Sequence, residues 1–256
     1  MKSFKILSII IAALIISSCV RHEATDQKNQ EVQSGTVEIE KQDILITEPL
    51  SKQEQTKLKP EDVVKRLMDG NKDFVEDNLT VRNTAERVRK ASLGQYPKAV
   101  ILSCLDSRVP VEDVFHSGIG NLFVARVAGN IVNKDILGSM EYACKVSGAK
   151  VVFVLGHEYC GAVKSAIDGV KLGNITGLLE RIKPAVFRVT KNFTPKRDSS
   201  DARFVEEVCE ENVRQAINEI RRGSSILKEM EDSKQILIVG GVYDMKTGKV
   251  SMLDLN

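Results

Sequence analysis

Val151-Val152-Phe153-Val154-Leu155-Gly156-His157-Glu158-Tyr159-Cys160 sets five apolar residues in a row against a short cluster of polar and ligating side chains. The run is continuous rather than alternating, the pattern of a strand buried on both faces in a parallel sheet. Three other segments read the same way: Ala99-Val100-Ile101-Leu102, Leu122-Phe123-Val124-Ala125 and Ile236-Leu237-Ile238-Val239. Helical spacing fills the intervals, at about Leu137 to Val146, Ala162 to Asp168, Thr176 to Val189 and Asp201 to Arg222. Lys249 to Leu253 reads as a final edge strand, reached through a turn at Lys246-Thr247-Gly248. Upstream, Pro60 opens a helix with Glu61 and Asp62 in its first turn, where the helix dipole favours them. Val63, Leu67, Asn71 and Phe74 follow at helical spacing, and a second helix is expected from about Thr84 to Leu93, stopping at Gly94. The expected fold is α/β, a mostly parallel central sheet flanked by helices with an N-terminal helical arm, as one domain over residues 58–256.

The strand ends carry the chemistry. Cys104-Leu105-Asp106-Ser107-Arg108 follows the first apolar run, and His157-Glu158-Tyr159-Cys160 follows the third. Ligands of open parallel sheets bind at the carboxyl ends of strands, where both fragments fall. Two thiols and an imidazole make a three-ligand zinc site with one position open, the arrangement of a catalytic rather than a structural zinc. Two thiolates and a neutral imidazole also balance a dication, and soft ligands select zinc over magnesium or calcium. Cys160 precedes Gly161 and a helix-forming stretch, whose positive end favours thiolate over thiol. Asp106, paired with Arg108, is expected to stay ionised beside the metal.

The first 18 residues read as an export leader. Lys2 and Lys5 precede an apolar stretch from Ile6 to Ile16, too short for a membrane span, and Ser17-Ser18 lead into Cys19. Ile16-Ser17-Ser18-Cys19 resembles a bacterial lipobox, which implies Cys19 as a lipidated mature N-terminus on the periplasmic or extracellular face of a bacterial membrane. Residues 19–57 are rich in Gln, Glu, Lys, Thr and Ser and are expected to form a flexible tether. Losing Lys2 and Lys5 from the 37 basic residues leaves them level with the 35 acidic ones, so net charge offers no reason to bind nucleic acid. Of five cysteines, Cys144 and Cys209 remain; each lies among apolar helical neighbours and is expected to be a buried free thiol, a disulfide between the two being the alternative. His116, in Phe115-His116-Ser117-Gly118, reads as a solvated loop residue, and His22 lies in the tether.

Cys104-Leu105-Asp106-Ser107-Arg108-Val109-Pro110 resembles the first signature of the β-class carbonic anhydrases, and Gly156-His157-Glu158-Tyr159-Cys160-Gly161 resembles the second. Leu122-Phe123-Val124-Ala125-Arg126-Val127-Ala128-Gly129-Asn130, Asn212-Val213-Arg214 and Val242-Tyr243-Asp244-Met245-Lys246-Thr247-Gly248 are similar to further stretches of that family. The resemblance covers about residues 60 to 255. It implies a lyase (carbonate dehydratase) that hydrates CO2 to bicarbonate and a proton by zinc-bound hydroxide, with one zinc per chain on Cys104, His157 and Cys160. Asp106 and Arg108 are then the catalytic pair: the carboxylate accepts the hydroxide's proton and Arg108 holds it. In a closed form known in some members, Asp106 would be a fourth zinc ligand. The resemblance also implies a homodimer or higher homo-oligomer whose N-terminal helices embrace a partner. The apolar arm residues Val63, Leu67, Phe74 and Val88 are expected to favour that association. An inhibitory bicarbonate site built around a tryptophan is not transferred, because the chain has none. The alternatives are a CS2 or COS hydrolase of the same fold and ligands, or a non-catalytic zinc or redox protein in which Cys104 and Cys160 form a disulfide. Neither metal storage nor redox chemistry needs Asp106 and Arg108.

Overall fold

The computed structural model describes residues 48–78, 84–192 and 198–255. The leader, Cys19, His22 and most of the expected tether lie outside them. A five-stranded sheet organises the rest, in the spatial order β2-β1-β3-β4-β5, with β1 at Ala99–Ser103, β2 at Leu122–Arg126, β3 at Val151–His157, β4 at Leu237–Tyr243 and β5 at Val250–Met252. The first four are mutually parallel and β5 is antiparallel to β4. Continuous apolar runs are explained by burial on both faces. Val100, Leu102, Val152 and Val154 enter one hydrophobic cluster, while Ala99, Ile101, Val151, Phe153 and Leu155 enter another on the opposite face.

Two strands run longer than their apolar runs. β3 continues through Gly156 to His157 in register with β4, and β4 continues through Gly240 and Gly241 to Tyr243. Two of these glycines serve close packing. A Cβ on Gly156 would lie 2.5 Å from Val213 Cγ2, and one on Gly240 would lie 2.6 Å from Val213 Cγ1. Val213 belongs to the long helix α9, Ala202–Gly223, which is capped by Asp201 and, through these glycines, rests directly on the sheet.

The helices are α1 at Lys52–Lys57, α2 at Pro60–Val75, α3 at Thr84–Ala91, α4 at Val111–Val114, α5 at Lys134–Glu141, α6 at Gly161–Ile167, α7 at Gly173–Glu180, α8 at Lys183–Asn192, then α9, and α10 at Ser225–Asp232. The tether expected to reach Lys57 stops short. Ser51 and Glu54 form a capping box that starts α1, and Gln55 is buried, donating to Pro97 O and Ser147 O at 2.7 and 2.8 Å. The helix expected from Thr176 to Val189 is two, α7 and α8, because Pro184 has no N–H to donate into the preceding turn and its ring excludes a continuous helix. α5 runs on into a π-helical turn at Tyr142–Val146. α10, unread in the sequence, begins at Ser224, whose hydroxyl accepts from Leu227 N at 3.1 Å.

The arm differs from expectation in what covers it. Val63 and Leu67 of α2 are fully buried against this chain's own sheet, beside Val114 and Phe115, and Phe74 packs on the β4–β5 turn. Only Val88 of the four residues is exposed, so the apolar face of α2 needs no partner. Among the described residues no helix is long and apolar enough to cross a membrane.

Candidate metal centre

β1 delivers Cys104 one residue past its end, β3 ends on His157, and Cys160 is the N-cap of α6. All three side chains are buried, and the two sulfurs and the imidazole nitrogen lie within 4.8 Å of one another. His157 Nδ1 is 2.8 Å from the carbonyl of Glu158. A carbonyl only accepts, so the proton sits on Nδ1 and Nε2 presents a bare lone pair. That Nε2 is buried and has no hydrogen-bond partner among the described residues. A buried acceptor left bare is costly unless something electrophilic meets it, and a cation among two sulfurs does so. The donor set and this orphaned nitrogen fit zinc.

Supporting contacts fix the Cys104 sulfur. Gly129 N–H donates to Cys104 Sγ at 3.3 Å, from a backbone φ of +68° that glycine adopts without strain. Asn212 of α9, 3% exposed, donates to Gly129 O at 2.8 Å and so holds that amide on the sulfur. Arg126, at the end of β2, donates through Nε to Cys104 O at 3.0 Å and through Nη2 to Asp106 O. The hydrogen bond from Cys160 drives the Cys104 thiol down to about 4, with help from the Gly129 amide. The hydrogen bond to Cys104, then burial and the Cys104 charge, push Cys160 up. The helix-end position of Cys160 therefore does not by itself make it the first thiolate.

Asp106 accepts from Arg108 three times, from the backbone N at 3.0 Å, from Nε at 2.9 Å and from Nη2 at 2.8 Å. The Arg108 side chain beside it holds its carboxyl down at about 2. Oδ2 also lies 3.8 Å from His157 Nε2, so the carboxylate faces the ligand cluster while Arg108 grips it from outside. Asp106 is thus engaged by Arg108 and stands apart from the three-ligand group.

Cys144 and Cys209 are buried free thiols, each pushed up to about 12 by burial. His116 is half-buried at the opposite end of the strands. Arg126, Gly129 and Asn212 were visible in the sequence only as parts of family-like stretches. Nothing in their types foretold that they act on the Cys104 sulfur and its loop.

A family model described as "Carbonic anhydrase" matches residues 99–250. "Carbonic anhydrase 2" of Mycobacterium tuberculosis is 33% identical over 196 residues, covering 74% of this chain and 91% of that protein. Among solved structures, a β-carbonic anhydrase of Aspergillus fumigatus superposes with a TM-score of 0.62 at 22% identity, over 77% of this chain and 90% of the other. One of two tetrameric β-carbonic anhydrases from Sordaria macrospora gives 0.59 at 23% identity, over 65% and 85%.

Proposed function

This chain belongs to the carbonic anhydrase family, and from that premise we propose that Cys104, His157 and Cys160 hold its zinc while Asp106 and Arg108 direct the reaction. The activity is the reversible hydration of CO2 to bicarbonate and a proton, on the β-carbonic anhydrase fold. When bound, zinc supplies the Lewis acidity that ionises water near neutral pH. The remaining work belongs to the chain. Gly129 N–H and the Glu158 carbonyl orient Cys104 and His157 as ligands. The Asp106 carboxylate has no proton to give, so it accepts the O–H of the attacking oxygen and leaves a lone pair turned toward CO2. Arg108 keeps that carboxylate ionised and fixed in direction by its paired donors. Arg126 anchors the Cys104–Asp106 backbone, so that ligand and acceptor keep their spacing.

The observation that carries the assignment is the bare, buried His157 Nε2 among two sulfurs. A redox role for the thiols leaves the Asp106–Arg108 pairing without a task. The test is metal analysis of the purified mature protein followed by stopped-flow CO2 hydration. One zinc per chain, lost in Cys160→Ser after dialysis against a chelator, is expected; full zinc retention by that variant would refute the ligand set.

A homodimer or higher homo-oligomer is proposed on other grounds than the arm. β2 stands at the edge of the sheet, with Phe123 and Val124 only half-buried, and a relative of the same fold is tetrameric. Light scattering of the mature protein that gave a monomer at micromolar concentration would refute it. For location, the leader's charge, apolar run and Ser17-Ser18-Cys19 exit support a lipid-anchored, exported enzyme. Cys19→Ser is expected to release it from membranes, or stall its processing, with zinc content unchanged. Wild-type protein that fractionates as soluble, with no lipid on Cys19 by mass spectrometry, would remove the anchor and leave the enzyme.

A further inference from the structure

At the edge of the sheet away from the metal centre, where β1 and β2 begin, a cavity of about 310 Å³ is lined by Arg66 of α2, Arg87 of α3, Lys98 and His116. Lys98 is only 9% exposed, and its ammonium has no hydrogen-bond or ion-pair partner among the described residues. The charges that act on it are both cations, Arg66 and Arg87; with burial they bring its pKa from 10.5 to about 8.

Arg87 is held as part of the wall rather than left to move away. It is 4% exposed and donates through Nε to Ile119 O at 2.7 Å and through Nη2 to Asn121 Oδ1 at 2.7 Å. The two acids that also line the cavity are turned to other partners. Glu54 accepts from Ser51 Oγ at 2.7 Å, and Glu48 is paired with Lys90. A buried ammonium beside two guanidiniums, with no ion-pair partner of its own among the described residues, is an arrangement that a chain retains at a cost in stability. An anion beside the ammonium reverses that cost, because Lys98 then faces an opposite charge.

We propose that this cavity binds a phosphate group, free or esterified, between Lys98, Arg66 and Arg87. Three cations suit a dianion better than a carboxylate, and guanidiniums match phosphate oxygens in pairs. The volume exceeds that of phosphate alone, and Pro49 and Leu50 give an ester's organic part an apolar wall. The site is distinct from the metal centre, which lies at the other end of the same strands.

The test is binding to the zinc-loaded mature protein, followed by equilibrium dialysis and phosphorus NMR in buffer without other oxyanions. Inorganic phosphate and glycerol phosphate serve as the two probes, each with and without added sodium chloride. Saturable binding of one phosphate per chain that survives moderate salt is expected. Lys98→Met and Arg66→Gln should each weaken it at least tenfold, with zinc content and CO2 hydration unchanged. Arg66 is exposed, so its variant remains informative if Lys98→Met misfolds. Tighter binding of the ester identifies an esterified ligand, and tighter binding of the inorganic ion identifies free phosphate. No saturable binding at millimolar phosphate, or undiminished binding in both variants, overturns the proposal.

Discussion

Asn71 is the polar residue on which the arm is fastened, and its replacement should be disproportionately costly. It is 2% exposed in the middle of α2. Nδ2 donates to Val114 O at 3.1 Å and to Gly248 O at 2.9 Å, while Oδ1 accepts from Val250 N at 2.7 Å. One side chain therefore joins the arm, the end of α4 and the β4–β5 turn. Asn71→Leu leaves two carbonyls and one amide N–H buried without these partners. A stranded buried group costs about 1–3 kcal/mol, with carbonyls at the low end because a second lone pair remains usable. Two carbonyls at about 1 and one N–H at about 2 sum to roughly 4 kcal/mol, a large part of the 5–15 kcal/mol that typically holds a domain. Urea unfolding of the zinc-loaded protein, followed by circular dichroism, reads this directly. Asn71→Asp sharpens the test. It keeps the acceptor for Val250 but points a carboxylate at two carbonyls, so burial and those neighbours raise its pKa. Stability should then be best at low pH, where the acid is protonated and donates one bond, and should fall as pH rises through that raised pKa. A loss below about 1 kcal/mol in Asn71→Leu, or an Asp variant indifferent to pH, would refute the clamp.

Three further outcomes follow from the site and the cavity. Asp106→Asn should fold and bind zinc yet lose roughly 10²–10⁴-fold in CO2 hydration, measured by stopped flow, because an amide no longer acts purely as an acceptor. Gly156→Ala forces a Cβ to 2.5 Å from Val213 Cγ2; overpacking should cost about 1–3 kcal/mol and weaken zinc retention against a chelator through the adjacent His157. Lys98 has a folded-state pKa depressed from 10.5 to about 8, so its penalty is full below pH 8 and vanishes above 10.5. In phosphate-free buffer Lys98→Met should therefore be more stable than wild type by about 3 kcal/mol at pH 7, an advantage that shrinks to nothing by about pH 10.5 in denaturant titrations.

The parallel sheet was readable because burial on two faces leaves a one-dimensional mark, an unbroken apolar run. The candidate ligands Cys104, His157 and Cys160, which the structure brings together, were readable because strand ends announce themselves where such a run stops. What escaped reading was mostly long-range. Gly240 and Gly241 look like strand breakers until α9 is known to press on Gly240, and Asn71 looks like a gap in an apolar stripe until its three partners arrive from 43 to 179 residues away. Pro184 and the Ser51–Glu54 capping box were local signals, present in the sequence but outweighed by helical spacing on one side and tether composition on the other. The partner-free burial of Val63 and Leu67 could not be inferred from α2, because the surface that covers them is built from β1, β3 and α4.

Successive residues of α9, Asn212 and Val213, touch both halves of the metal centre: Asn212 holds the loop that serves Cys104, and Val213 fills the space over Gly156 beside His157. This gives the centre a birth order. All three ligand residues are already in the chain once Cys160 is reached, but the helix that sets their spacing follows some fifty residues later. A chain cut short before α9 carries every donor atom and lacks the ruler that spaces them.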